Sequence, residues 1–285
     1  MTVEEIILSH DRRGISALRN HLPGDFCHDA AAFVLERGRQ SQGPTIIVTG
    51  FYMARAQAPE TDGPPGALAI GRALHALGLE VIYITDKHTM PLLASDIVGK
   101  DEVIDFPLAD DASSWRFAGH ILADFKPSLL VSVERCGLNR NQKYLNMAGE
   151  DITEHTARID YLFSGEKNSL GIGDGGNEVG MGNLARHIPR VETLPKNPAL
   201  TPVARLIIAS VSNWGAYGLV AALSRLVKRN LLPSVEWEKE VINEIVARGA
   251  VDGVSGQRRS SVDGFDLEQN AWALVELHRI LASLS

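Results

Sequence analysis

Thr45-Ile46-Ile47-Val48-Thr49-Gly50 is a short β-branched apolar run that ends at a glycine, and its reading decides the fold. A strand of that composition has no polar face, so it must be covered on both sides, as in a parallel sheet. Working outward, comparable runs occur at Val81-Ile82-Tyr83-Ile84-Thr85-Asp86, Val103-Ile104-Asp105-Phe106 and Leu129-Leu130-Val131-Ser132-Val133. Two more lie at Ile159-Asp160-Tyr161-Leu162-Phe163 and Leu206-Ile207-Ile208-Ala209-Ser210-Val211. Helical spacing is predicted between most of them, over 66–77, 90–99, 113–125 and 214–229. Strands alternating with helices give an α/β fold with a doubly wound, mostly parallel sheet flanked by helices. Residues 3–40 read as two N-terminal helices divided at Leu22-Pro23-Gly24, and 235–249 and 266–284 as closing amphipathic helices. The chain is therefore expected to be one domain over 1–285. Its helical N-terminal extension is 1–40, its α/β core 44–230 and its helical C-terminal extension 235–285.

Composition narrows the function classes. With 285 residues, 45% apolar and 22% charged, the chain can bury a core without a disulfide or metal staple. Two cysteines, Cys27 and Cys136, are too few for a secreted disulfide framework, and the acidic N-terminus is unlike a signal peptide, so the expected compartment is cytoplasmic. A formal charge of −7 argues against a nucleic-acid partner, and no apolar run approaches the roughly 20 residues that span a bilayer. The expected partner is a small acidic molecule, with homo-oligomerisation left open.

Ligands of open α/β sheets bind at the carboxyl ends of the strands, and three segments there can carry chemistry. Gly171-Ile172-Gly173-Asp174-Gly175-Gly176-Asn177-Glu178-Val179-Gly180-Met181-Gly182 has six glycines in twelve residues, which lets backbone approach a ligand closely. Asp174, Glu178 and the Asn177 amide are hard oxygen donors suited to Mg²⁺ or Mn²⁺, or to a substrate ammonium. A plain turn is the alternative. The same residues match G-x-G-x-x-G, but the nearest expected strand ends at Phe163 and Asp174 would repel a pyrophosphate, so no nucleotide cofactor is expected. In Pro59-Glu60-Thr61-Asp62-Gly63-Pro64-Pro65-Gly66-Ala67, the prolines fix entry into a helix. Asp62 there either caps that helix or meets a ligand. In Ser132-Val133-Glu134-Arg135-Cys136-Gly137, Glu134 is a base or metal ligand, or one half of a solvated ion pair at the strand end. Cys136 is read as a buried apolar residue, having no assignable His partner. Asn213 sits at another strand-to-helix junction. Arg259, in the polar loop 252–264, could fork a carboxylate or simply be solvated. The nine histidines show no zinc-protease spacing.

Three blocks, Thr49-Gly50-Phe51, Glu60 through Ala67 and Gly171 through Asn183, together resemble the D-glutamate cyclase family, over about residues 40–265. The third is the most specific. The resemblance implies an α/β lyase converting D-glutamate to 5-oxo-D-proline and water. Without an N-terminal extension, the chain is similar to the stand-alone microbial form. Metal-dependent phosphatase activity and a non-catalytic sensor of an acidic amino acid are the alternatives. On the cyclase reading, Asp174, Glu178 and Glu134 hold a divalent metal or the substrate ammonium. Thr61 and the N–H groups at 63–66 hold a substrate carboxylate, and Asp62 and Gly63 are further substrate-binding residues. Asn177 and Asn213 orient the reacting group. Gly173, Gly175, Gly176 and Arg259 complete the expected substrate contacts.

Overall fold

The computed structural model describes residues 1–40 and 43–282, without the side chains of Ser95 and Asp96. The elements are α1 (Val3–Ile7), α2 (Phe26–Gln40), β1 (Thr45–Thr49), β2 (Tyr52–Met53), β3 (Ala58–Pro59), α3 (Pro64–Ala76), β4 (Val81–Thr85) and α4 (Ser95–Val98). After them come β5 (Glu102–Asp105), α5 (Asp111–Phe125), β6 (Leu129–Val133), β7 (Ser169–Gly173) and β8 (Arg205–Ile208). The chain closes with α6 (Ser212–Val227), α7 (Val235–Ala247), β9 (Ser261–Val262), β10 (Phe265–Asp266) and α8 (Leu267–Leu281).

Six strands form one sheet in the order β5-β4-β1-β6-β7-β8, every neighbouring pair parallel. The chain winds outward from β1 to β4 and β5, then returns to β6 on the other side of β1. The order of winding therefore reverses between β1 and β6, which leaves a crevice at their carboxyl ends. All five residues of β1, β4, β6 and β7 are buried, as two-sided coverage requires. The most enclosed helix is α6, in which every residue from Ser212 to Ser224 is buried against α2, α3 and α8.

Several expectations need correction. Residues 159–163 are a 3₁₀ helix and not a strand, because Asp160 is drawn inward. Its carboxylate accepts from Tyr144 Oη, from Leu138 N at 3.1 Å and from Thr201 Oγ1 at 3.0 Å. The strand at this level is β7, inside the glycine-rich stretch, so that stretch does follow its strand directly. It opens no helix, however, passing only into a 3₁₀ turn at Met181–Leu184. Of the N-terminal stretch, α1 and α2 are separated by a 3₁₀ helix at Ile15–His21. The stretch 90–99 is a 3₁₀ turn, Met90–Leu93, followed by the one-turn α4. The polar loop 252–264 contains β9 and the turn of a hairpin. Of the closing helix expected over 266–284, residues 283 and 284 lie outside the described residues, as does Ser285 of the C-terminal extension. No helix among the described residues is long and apolar enough to cross a membrane.

Candidate active site

The ends of β1, β6 and β7 deliver their next residues into one cavity of about 330 Å³, lined among others by Arg13, Phe51, Glu60, Glu134, Asp174 and Asn177. Gly253 through Gly256 close its far wall. Glu134 leaves β6 in a left-handed conformation, φ 47°, which a non-glycine residue adopts only when its surroundings hold it there. Its backbone N–H donates to Ile172 O at 3.1 Å, and one carboxyl oxygen accepts from Ser212 Oγ at 2.5 Å. Asp174 follows β7 directly. Together Asp62, Glu134 and Asp174 offer three buried carboxylate oxygens within 4.8 Å of one another.

The walls are built by crossed helix caps. Neither α3 nor α6 has a side-chain cap from its own N-cap residue. Asp62, just ahead of α3, instead accepts from Ser212 N and Asn213 N of α6, each at 2.9 Å. Asn213 Oδ1, in the first turn of α6, accepts from Gly63 N at 3.1 Å and Gly66 N at 2.7 Å of α3. Each helix start is thus satisfied by the other's segment, which fixes Asp62 against the cavity and turns two positive helix ends toward it.

The glycine-rich loop folds around its own acid. Glu178 Oε1 accepts from Gly175 N at 2.6 Å and Asp174 N at 3.3 Å, and Oε2 from Gly176 N at 2.7 Å. Gly171 is required where Val179 O would lie 2.6 Å from an added Cβ. Asn177 Nδ2 donates to Leu145 O at 2.9 Å, which leaves its buried Oδ1 without a partner among the described residues.

One cation serves this acidic floor. Arg13, on the loop after α1, donates from Nη1 to Asp174 and, at 2.8 Å, to Asp263 Oδ2, and from Nη2 to Asp263 Oδ1 at 2.8 Å. Asp263 is presented by the β9–β10 turn, where Asp263 and Gly264 have φ 52° and 75°. Glu60, pinned by its N–H to Phe51 O at 3.0 Å, turns its carboxyl into the cavity against Gly253, where an added Cβ would lie 2.4 Å from Oε2. Five carboxylates, those of Glu60, Asp62, Glu134, Asp174 and Asp263, therefore surround one guanidinium.

Electrostatics follow from that imbalance. Burial, then the charges of Asp263 and Asp62, pushes Glu60 well above the usual carboxylate range. Burial, then Glu178 and Glu60, does the same to Glu134. Asp62 is pushed up to about 7 by burial and Asp263, against the lowering effect of the α6 N–H groups. Asp174 is raised too, burial and Glu134 outweighing Arg13. Its direct contact with the guanidinium nevertheless makes it the best place for a negative charge, so Glu60 and Glu134, which touch no cation among the described residues, hold protons longest. Arg13 is raised well above its ordinary value, since Asp174 and Asp263 outweigh its burial.

The residues expected to form the site thus divide. Glu134, Asp174, Asn177 and Asp62 converge on the cavity. Glu178 spends both oxygens on its own loop. Gly173 ends β7, while the N–H groups of Gly175 and Gly176 bind Glu178. Thr61 is buried and donates its hydroxyl to Ser261 O at 2.7 Å, so it staples β9 to the α3 entry. Asn213 and Gly63 belong to the crossed caps, and Arg259 is exposed away from the cavity lining. Cys136 is buried, its thiol pushed up by burial. Sequence reasoning missed Arg13, Glu60 and Asp263. Only Asp263 carried a local signal, the Asp-Gly pair of a two-residue hairpin between apolar residues.

A family model described as "D-glutamate cyclase-like, C-terminal" matches residues 3–278. A human protein named "D-glutamate cyclase, mitochondrial" is 29% identical over 266 residues, covering 77% of this chain. The matched region spans 42% of that relative's length.

Proposed function

The chain belongs to the D-glutamate cyclase-like family, and from that premise we propose that it cyclises D-glutamate to 5-oxo-D-proline with loss of water. One observation carries the reading: buried carboxyls, Glu60 and Glu134 held well above the usual carboxylate range and Asp62 at about 7, gather with the buried Arg13 at one cavity. Cyclisation needs such groups. Overall it neither takes up nor releases a proton, but two protons must leave the substrate ammonium and one oxygen must leave the γ-carboxylate as water. Carboxyls that hold and release protons near neutral pH can move them from nitrogen to the departing oxygen.

Glu134 and Glu60 take these roles. One, ionised, accepts a proton from the ammonium and frees the lone pair that attacks the γ-carbon. The other, protonated, donates to the γ-carboxyl oxygen, which makes the carbon electrophilic; after attack the second ammonium proton passes through the same pair of carboxyls to that oxygen, which leaves as water. Asp174 and Asp62 stay closer to the anionic form and attract the ammonium before deprotonation. Asn177 Oδ1, its amide held by Leu145 O, accepts from the substrate N–H and so aims the nitrogen lone pair. Folding a flexible chain into a five-membered approach geometry contributes several kcal/mol by itself.

Asp62, Glu134 and Asp174 also fit a divalent cation, since all three donors are hard oxygens on separate segments. Such a cation would polarise the γ-carboxyl and stabilise the tetrahedral oxyanion. The donor set departs from the sequence expectation by exchanging Glu178 for Asp62.

The test is 5-oxoproline formation by purified protein given D-glutamate or L-glutamate, with Mn²⁺ or Mg²⁺ or with EDTA, followed by chiral chromatography. Product from D-glutamate alone is expected, and loss in EDTA assigns the carboxylate trio to a metal. No product from either isomer under any condition overturns the proposal.

A further inference from the structure

The guanidinium of Arg13 has two edges able to grip a carboxylate in parallel, and only one is occupied. Its end-on fork, Nη1 and Nη2, holds both oxygens of Asp263, and the second Nη1 hydrogen goes to Asp174. Nε and the remaining Nη2 hydrogen form the side-on edge, and no acceptor among the described residues reaches it. The side chain is 21% exposed and lines the cavity, while its two partners are 2% and 4% exposed. The other arginine of the cavity, Arg55, is mostly exposed and spends its Nε and Nη2 edge on Glu150, at 3.3 and 2.7 Å.

The mount of Arg13 is rigid. Asp11 accepts from the backbone N–H groups of Arg13, Gly14 and Ser16 at 2.8–2.9 Å, and Thr193 Oγ1 donates to Arg13 O at 2.5 Å. Behind it, Arg12 Nη1 donates to Asp263 O at 3.1 Å, and Arg12 Cζ lies 3.7 Å from the centroid of the Phe265 ring. A charged donor pair fixed this firmly, with one edge free in a cavity otherwise walled by acids, is built to receive an anion with two oxygens.

We propose that the side-on edge of Arg13 is the receptor for the α-carboxylate of the substrate, the carboxylate that does not react. This rests on the cyclase reading and decides which end of the substrate goes where. A carboxylate gripped by a guanidinium is stabilised as the anion and is a poor electrophile, so the gripped group must be the spectator. The γ-carboxyl then falls toward the proton-holding carboxyls. With the α-carboxylate on Arg13, the nitrogen at the acids and the side chain pointing at Glu60 and Glu134, three substituents of the α-carbon are placed, which suffices to select one enantiomer.

The test compares binding of 5-oxo-D-proline, which keeps only the α-carboxylate, with binding of its carboxamide, by calorimetry on wild type and Arg13→Lys. Wild type is expected to prefer the acid by about tenfold to a hundredfold, the range for a hydrogen-bonded charge. Arg13→Lys keeps the charge but loses the fork, and should lose most of that preference while binding the amide as before. An unchanged acid-to-amide ratio in Arg13→Lys overturns the assignment. So does a wild type that binds acid and amide equally, although the cyclase reading then stands; a wild type that binds neither overturns both. A measurement free of variants is phenylglyoxal modification of Arg13 followed by peptide mass spectrometry. The acid should protect the residue and the amide should not, and equal modification with both rejects the proposal even if Arg13→Lys fails to fold.

Discussion

Glu134 and Glu178 are both glutamates at strand ends of the same crevice, both buried, and they are employed oppositely. Glu178, in the conspicuous glycine-rich loop, has both oxygens taken by three backbone N–H groups. Glu134, in an ordinary-looking strand end, is bent into a left-handed conformation that brings its carboxyl to the cavity, with one oxygen bonded to Ser212 and its proton held tightly. The first stabilises a loop and the second stores free energy as a buried, poorly compensated acid. A sequence motif rich in acids and glycine therefore marks where a site is without showing which acid works in it.

The largest losses of activity are expected at the groups that face the cavity. Glu60→Gln removes a proton carrier while leaving its volume, and turnover should fall by about 10²–10⁴, the usual contribution of a positioned acid or base. Thermal stability should hold or rise, because a buried unpaired carboxyl is removed. Loss of folding instead would place Glu60 among the structural acids. Glu178→Ala should do the reverse, orphaning three buried N–H groups and destabilising by about 3–9 kcal/mol at the 1–3 kcal/mol each such group contributes. Urea unfolding measures it, and a change under about 1 kcal/mol would contradict the staple.

A smaller effect is expected from pH. Glu60, Asp62 and Glu134 have folded values above their unfolded ones, so the folded state binds their protons more tightly. The stabilising share of Asp62 is complete below about pH 4 and is lost as pH rises through about 7, and those of Glu60 and Glu134 are lost as pH rises through their own raised values. Asp11 and Asp252, lowered by the hydrogen bonds they accept, contribute oppositely, losing theirs as pH falls below the ordinary range. The melting temperature should therefore be highest near pH 5–6 and fall by several degrees toward pH 8, and a Mn²⁺ addition should recover more at pH 8 than at pH 6. A flat profile from pH 6 to 8 would show the cluster to be better neutralised than its geometry implies. The smallest change should come from Asp62→Asn, whose one carbonyl oxygen keeps one of the two α6 N–H bonds while its NH₂ group leaves the other unpaired, at a cost of about 1–3 kcal/mol.

Much of the fold was legible because buried parallel strands advertise themselves, as in Ile46-Ile47-Val48 and Leu129-Leu130-Val131. Strand β7 hid because Ser169-Leu170-Gly171-Ile172-Gly173 has only two large apolar residues, Gly171 serving close approach to the Val179 backbone and Gly173 to the Met181 and Glu178 side chains. Conversely, Ile159 through Phe163 has a strand's composition, yet three long-range donors to Asp160 curl it into a 3₁₀ helix. Asp174 and Glu134 could be found because strand ends in α/β sheets converge. The Arg13–Asp263 pair could not, since the contact joins positions 250 apart in sequence, and the Asp263-Gly264 signal marks a hairpin turn without showing what it meets. The crossed caps of Asp62 and Asn213 were half visible: each reads as a helix cap, but the helix each serves is the other's.

The most direct measurement is the rate of 5-oxo-D-proline formation from D-glutamate, per folded molecule, by wild type, Glu134→Gln and Glu178→Gln side by side. The account predicts that Glu134→Gln folds at least as stably as wild type and is inactive. It also predicts that Glu178→Gln is less stable but retains turnover in its folded fraction. Activity preserved in Glu134→Gln and abolished in a well-folded Glu178→Gln would contradict it, returning the chemistry to the glycine-rich loop.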